Sequence, residues 1–252
     1  MRIAVNTRLL IPGRLEGIGN FSHEILSRLC QQHPEHEFLF LFDRTPDSQF
    51  KYASNVTFKR LLIPSRHPFL YNAYFDLELA WALRQWKADI YFSPDGYLSK
   101  YSPCPQIPVF HDLNFEHRPK DLPALDRWHY RSFFPKYAKW AKHIVTVSEY
   151  SKVDLMQSYA IEEEKITVCY NGIKSRYQPG TQSQREESQQ KWAEGQPFFL
   201  YVGSLHARKN ILGLLKGYEN YASQSTKPLT LCIAGANMWS AGEEHQFLHS
   251  MK

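Results

Sequence analysis

Glu37 to Phe42 reads EFLFLF, five apolar residues in succession after a single acidic one. A strand that faces water on one side alternates apolar and polar residues, so an unbroken run belongs to a strand covered on both faces, as in a parallel sheet between helices. Comparable short runs recur at Arg2 to Asn6 (RIAVN), Val56 to Leu62, Ala88 to Ser93 (ADIYFS), Pro108 to His111 (PVFH), Ile144 to Val147 (IVTV) and Lys165 to Cys169 (KITVC). Helical spacing separates them: Ile18, Phe21, Ile25, Leu26 and Leu29 form one stripe, and Leu70, Ala73, Tyr74, Leu77, Ala80 and Trp81 a second within Phe69 to Leu83. Ser148 stands at the N-cap position of a further helix, SEYSKVDLMQSYA. This order of elements predicts an α/β fold with a doubly wound, Rossmann-like parallel sheet. Ligands of such sheets bind beyond the carboxyl ends of the strands, where His111 and Asp112 fall.

The pattern restarts late in the chain. Phe198 to Val202 is an apolar, aromatic strand that breaks at Gly203 and Ser204, and after a short loop apolar residues recur at Ile211, Leu214, Leu215, Tyr218 and Ala222. Asn210 sits where an N-cap would sit, so the loop brings Arg208, Lys209 and the unpaired N–H groups of a helix start to one small volume suited to an anion. A strand at Leu229 to Ala234 and a helix beginning near Ala241 are expected to follow. Between the two halves lies a polar stretch rich in Gln, Ser and Glu, which marks a boundary: residues 1–178 as a first domain, 179–196 as a linker and 197–252 as an incomplete second domain. Two strands alone leave apolar faces and a sheet edge uncovered.

A chain of 252 residues with 43% hydrophobic and 15% aromatic content can bury a sizeable core. It contains no apolar run long enough to span a bilayer, and its N-terminus reads as a first strand and not as a signal peptide, so a cytoplasmic chain is expected. Cys30, Cys104, Cys169 and Cys232 lie far apart without metal-ligand spacing and are expected to be reduced thiols. A net charge of +5 is too diffuse to single out nucleic acid. The stretch Asp126 to His143 interleaves Trp128, Tyr130, Phe133, Phe134, Tyr137 and Trp140 with Arg127, Arg131, Lys136, Lys139 and Lys142. That mixture suits a membrane-surface helix, although Pro135 would kink it, and a packed helix with snorkelling cations is the more economical reading.

Several chemistries are excluded by pattern. Gly17-x-Gly19 is followed by Ser22 where a dinucleotide fingerprint needs its third glycine, and both glycines come well after the first strand. A flexible loop from Gly17 to Asn20 before a helix N-terminus, suited to a phosphate or a sugar, is the better use for them. His111 to His117 (HDLNFEH) lacks an H-E-x-x-H pattern, so a metal site is not expected there. Neither a G-x-S-x-G elbow nor a phosphate-binding P-loop motif occurs.

Taken together, the Gly17 and Gly19 segment, His111-Asp112, the T-V-S-E-Y-S run from Thr146 to Ser151, Tyr170-Asn171-Gly172-Ile173 and the Gly203 to Asn210 segment resemble, in this order, family-4 glycosyltransferases of the GT-B fold. The subgroup resembled carries R-K-N, here Arg208-Lys209-Asn210, with Ser204 after the strand-ending glycine. The resemblance implies two Rossmann-like domains and a retaining transfer of a hexose, mannose among the candidates, from a nucleotide diphosphate sugar to a glycan or lipid-linked acceptor. It implies no metal and no other cofactor. Gly17, Gly19, Gly203, Ser204, Arg208, Lys209 and Asn210 would hold the donor and its phosphates, and His111 would lie near the reacting centre with Arg208 and Lys209 as the catalytic cations.

A pair of glutamates seven residues apart, which the resemblance implies for the ribose and donor sugar, has no place within these 252 residues, so the chain is expected to be a fragment that is inactive alone. Two alternatives stay open: a non-catalytic sugar- or partner-binding module, and a nucleotide-sugar epimerase. The partners expected are a nucleotide sugar and a glycan or lipid-linked acceptor, with no nucleic acid and with peripheral contact to the inner membrane face left open.

Overall fold

The computed structural model describes residues 1–65, 68–173, 177–205 and 209–235, the side chains at 68 and 69 excepted. The chain divides into two compact units, Met1–Gly172 and Ile173–Lys252.

The first unit is built on seven strands: β1 (Arg2–Asn6), β2 (Glu37–Phe42), β3 (Val56–Arg60), β4 (Ile90–Ser93), β5 (Gln106–Phe110), β6 (Ile144–Thr146) and β7 (Ile166–Val168). They lie in the order β3-β2-β1-β4-β5-β6-β7, and every neighbouring pair is parallel. Strand order reverses at β1, so the crevice of this doubly wound sheet opens at the carboxyl ends of β1 and β4. The unbroken run in β2 is explained by its two faces. Phe38, Phe40 and Phe42 pack with Leu26 and Cys30 of helix α1 (Gly17–Gln32), whereas Leu39 and Leu41 join the core on the other side with Tyr74, Tyr91 and Phe110.

That second core is covered by a composite helix made of α2 (Pro68–Asn72), a π-helical segment (Ala73–Leu79) and α3 (Ala80–Trp86). The expected stripe, Leu70, Ala73, Tyr74, Leu77, Ala80 and Trp81, is buried only in part: Tyr74 and Ala80 lie in the core, whereas Leu77 is 62% exposed and Trp81 53%. Tyr71, Phe75, Leu79, Ala82 and Leu83 face the core beside Tyr74. The wider π turn advances the inward face, a shift that a strict 3.6-residue period cannot anticipate. After β5 come the short α4 (Asn114–His117) and α5 (Ala124–Trp140), and after β6 comes α6 (Glu149–Tyr159).

Helix α5 carries Pro135 inside it and buries His129, Phe134, Tyr137 and Ala138, so its aromatic face is used for packing as the more economical reading expected. His129 is 0% exposed, and neither ring nitrogen has a hydrogen-bond partner. Its ring stacks on Phe133 at 4.6 Å and on Tyr97 at 5.7 Å. Burial first, and then the charge of Arg8, push its pKa down to about 4. The folded-state value lies below the unfolded one, so the contribution of a neutral His129 is complete above roughly pH 6.5 and is lost as pH falls toward 4, by up to roughly 3 kcal/mol. Urea denaturation at a series of pH values is expected to show this loss, and in His129→Phe the slope between pH 6.5 and 4 is expected to flatten by that amount.

The second unit holds α7 (Gln182–Ala193), β8 (Phe198–Val202), α8 (Ile211–Gln224) and β9 (Thr230–Ala234). The expected linker, 179–196, therefore contains a helix, fixed at its start by a capping box between Thr181 and Gln184. Strands β8 and β9 pair in parallel, and Leu205, Ile211 and Leu215 form a small core with Tyr201, Leu231 and Ile233. The opposite face is bare, with Leu200 59% and Val202 72% exposed, as expected of a sheet of two strands. The helix expected near Ala241 lies outside the described residues.

Candidate functional site

At the switch point the chain places a charge in a dry environment. Thr7 ties the turn after β1 to β2, through its N–H and its hydroxyl, both donating to the Leu41 carbonyl. The next residue, Arg8, is thereby turned back over the sheet. Its guanidinium lies 4.1 Å from the Tyr97 ring centre, donates to the Ser65 carbonyl and pairs with Asp95 at 2.5 Å. Asp95 follows β4 in the turn Ser93-Pro94-Asp95-Gly96, where Gly96 adopts φ +86 and a Cβ would meet Phe134 at 3.1 Å. Its carboxylate also accepts from Asn6 Nδ2 at 2.7 Å and from the Ser93 hydroxyl at 3.0 Å. Asn6, Arg8, Ser93 and Asp95 thus form one buried network across the ends of β1 and β4.

This network holds the turn on which His111 rests. His111 follows β5, and its Nε2 lies 2.8 Å from the Pro94 carbonyl, so Nε2 carries the proton and donates it. The ring stands edge-on to Phe21 of α1 at 4.9 Å. Burial lowers the His111 pKa, with the Pro94 hydrogen bond acting in the other direction, so the imidazole is neutral at pH 7 and offers Nδ1 as an acceptor. The backbone around it is clamped by the T-V-S-E-Y-S run: Thr146 Oγ1 donates to the Phe110 carbonyl at 2.7 Å and Ser151 Oγ to the His111 carbonyl at 3.0 Å. Ser148 caps α6 by accepting from the Ser151 N–H, as its position predicts. Beside His111 is a cavity of about 200 Å³ bordered by Ile18, Asp95, Asp112, Asn114 and Tyr130. Asp112 accepts from the Asn114 N–H and so starts α4, and His117 bonds Asp154 at 2.8 Å, so the polar residues of HDLNFEH serve separate ends.

Gly17 and Gly19 do not form the flexible loop expected of them. Both lie in the first turn of α1, after an N-cap at Glu16, and neither has positive φ. Gly19 is required by proximity, since a Cβ there would stand 2.7 Å from the Leu9 carbonyl oxygen, whereas Gly17 faces open space. Gly19→Ala is expected to cost about 1–3 kcal/mol and Gly17→Ala close to nothing in thermal or urea unfolding. The turn brings the N-terminus of α1 close to the loop after β1, a position suited to an anion.

In the second unit Gly203 and Ser204 follow β8, and the Gly203 N–H donates to the Ala234 carbonyl at 2.9 Å. A Cβ at Gly235 would fall 1.8 Å from the Gly203 oxygen, so the backbones at the two strand ends are pressed together. Lys209 is exposed just before the cap residue of α8. Asn210 does occupy the N-cap position, but with φ 51 and ψ 44 and without a side-chain cap bond. Its carboxamide lies over Gly213, where a Cβ would meet it at 2.6 Å, without bonding a first-turn N–H. Arg208 lies outside the described residues.

Sequence reasoning missed Asn6, Arg8 and Asp95. Their signal is polar residues at the ends of two apolar strands, but Arg8 and Asp95 are 87 residues apart and only the strand order makes β1 and β4 neighbours.

A seven-stranded, doubly wound parallel sheet whose polar residues converge at its carboxyl ends, followed in the chain by a second β-α-β unit, has the fold of the GT-B class. The profile of Glycosyltransferase Family 4 matches residues 15–176, and the chain belongs to that family. It is 30% identical over 241 residues to the O-antigen chain mannosyltransferase B of Escherichia coli, spanning 89% of this chain and 62% of that protein's length. Among solved structures it is similar to Anabaena HepE in complex with UDP and glucose, with TM-score 0.63 and 14% identity, covering 100% of this chain and 64% of that one. It is also similar to WaaG, a glycosyltransferase involved in lipopolysaccharide biosynthesis, with TM-score 0.61 and 15% identity, covering 93% and 64%.

Proposed function

We propose that the protein transfers a hexose, mannose being the first candidate, from a nucleotide diphosphate sugar to a glycan or lipid-linked acceptor in polysaccharide synthesis, with retention at the anomeric carbon and without a metal. The observation that carries this reading is His111, neutral and locked through Nε2 on the Pro94 carbonyl, with an acceptor nitrogen left for a sugar hydroxyl beside the cavity at the carboxyl end of the sheet. The mannosyltransferase relative supports the choice of sugar. The first domain is assigned the acceptor, with the second holding the donor at Gly203, Ser204, Arg208, Lys209 and the start of α8. As the bond to the diphosphate breaks, negative charge grows on the leaving phosphate, which fixed cations and helix-end N–H groups stabilise more than they stabilise the ground state. The first turn of α1, which Gly17 and Gly19 begin, would offer its N–H groups to an anion. No helix among the described residues is long and apolar enough to cross a membrane, and a lipid-linked acceptor would be met from the cytoplasmic side by peripheral contact.

Protein purified from its native source, supplied with a panel of nucleotide diphosphate sugars and membrane-derived acceptors, is expected to release nucleoside diphosphate only when both are present. Binding without turnover would support the non-catalytic module, and an acceptor-independent change at the sugar ring would support the epimerase. His111→Ala is expected to lower kcat/KM about tenfold, the value of one hydrogen bond. Because the neutral imidazole is the active form, wild-type kcat/KM is expected to be flat at neutral pH and to fall only below the ordinary histidine range, and this acid limb is expected to vanish in His111→Ala.

A further inference from the structure

We infer a divalent-cation site in the turn between α1 and β2, formed by His33, Glu35 and His36. The turn HPEH joins the end of α1 at Gln32 to the start of β2 at Glu37. His33 Nδ1 lies 3.2 Å and His36 Nδ1 3.6 Å from the same Glu35 oxygen, Oε1, and the ligand-capable atoms of all three lie within 4.8 Å of one another. Ligand atoms placed tetrahedrally at zinc-like bond lengths stand about 3.3–3.4 Å apart, so two of the three separations already suit one ion. The third closes by rotation of the His33 side chain, which is on the surface.

The backbone that carries these groups is prebuilt. Asn55 Nδ2 donates to the carbonyls of Cys30, His33 and His36 at 3.1, 3.1 and 2.9 Å, and the His36 N–H closes the turn on the His33 carbonyl at 3.1 Å. One amide thus fixes the backbone that carries the two imidazoles, whose rings lie 5.6 Å apart and 14° from parallel. Two imidazoles and a carboxylate are a donor set for Zn²⁺, Ni²⁺ or Cu²⁺, and a poor one for Mg²⁺ or Ca²⁺, which take oxygen. All strands of the sheet are parallel, so this turn at the amino end of β2 and His111 beyond the carboxyl end of β5 lie at opposite ends of the sheet. A cation here ties α1 to β2 and takes no part in sugar transfer.

Tag-free protein titrated calorimetrically with ZnCl₂ at pH 7.5 is expected to bind one equivalent, and Co²⁺ to give a visible absorption band. His33→Ala and His36→Ala are expected to weaken binding by roughly tenfold or more, while His143→Ala and titration with Mg²⁺ serve as controls without effect. Zinc is expected to raise the unfolding temperature of the wild type and not that of the double variant His33→Ala/His36→Ala. Melting without metal verifies that these surface variants fold. Absence of a stoichiometric zinc signal in the wild type overturns the site, as does stoichiometric binding that survives the double variant.

Discussion

Asp95→Ala is expected to lower the unfolding free energy by about 3–5 kcal/mol, measured by urea denaturation, because it strands the guanidinium of Arg8 in a desolvated setting. The Arg8 side chain is almost entirely buried and sits among Tyr71, Phe75 and Tyr97, with the Ser65 carbonyl as its other polar partner. Asn6 and Ser93 lose their acceptor in the same step. The reverse change is expected to be milder. In Arg8→Met the apolar side chain suits the aromatic cage, and Asp95 keeps two neutral donors. The double variant Arg8→Met/Asp95→Asn removes both charges and is expected to recover much of the loss, so a double-mutant cycle should return a coupling of more than about 1 kcal/mol. A cost below about 1 kcal/mol for Asp95→Ala would show that water reaches the pair. Because Pro94 precedes Asp95 and accepts from His111, the same substitution is expected to reduce turnover under conditions where the protein is folded.

The sheet was readable in the sequence because burial on both faces leaves a strand no room for polar alternation: β1 and β2 begin and end where the apolar runs do. The helix after β3 was readable in extent and only in part in facing, since the π segment from Ala73 to Leu79 changes the period on which the inward stripe depends. His111 was legible as a polar residue at a strand end. Its tautomer was not, because Pro94 is a neighbour only through the pairing of β4 with β5. The T-V-S-E-Y-S run, a family mark in sequence, has a physical role in the fold: two of its hydroxyls hold the backbone on either side of the β5 terminus. Asn210 was legible as a cap by position, but its left-handed backbone and the contact of its carboxamide with Gly213 were not.

Lys209→Ala is expected to reduce kcat by about 10²–10³, the cost of removing one preorganised donor to developing negative charge, with a smaller change in KM. The expectation rests on the proposed transfer and on what exposure does to a cation. In the free protein Lys209 is in water, where a neighbouring charge would be worth about 1 kcal/mol at 4 Å. A bound donor that excludes water lowers the effective dielectric, and at a value near 20 the same pair is worth on the order of 4 kcal/mol before desolvation. The gain therefore appears only with substrate in place, and most strongly as the phosphate becomes the leaving group. The start of α8, where Asn210 makes no side-chain cap bond, follows Lys209 directly in the chain and would offer its N–H groups to the same anion. Lys209→Arg keeps the charge and is expected to retain activity within about tenfold. Lys216→Ala, an exposed cation further along α8, is expected to leave kcat unchanged. Equal losses in Lys209→Ala and Lys216→Ala would reduce the effect to the overall field of the protein. An unchanged kcat in Lys209→Ala would remove this residue from the phosphate site and leave Arg208 to be tested by the same substitution.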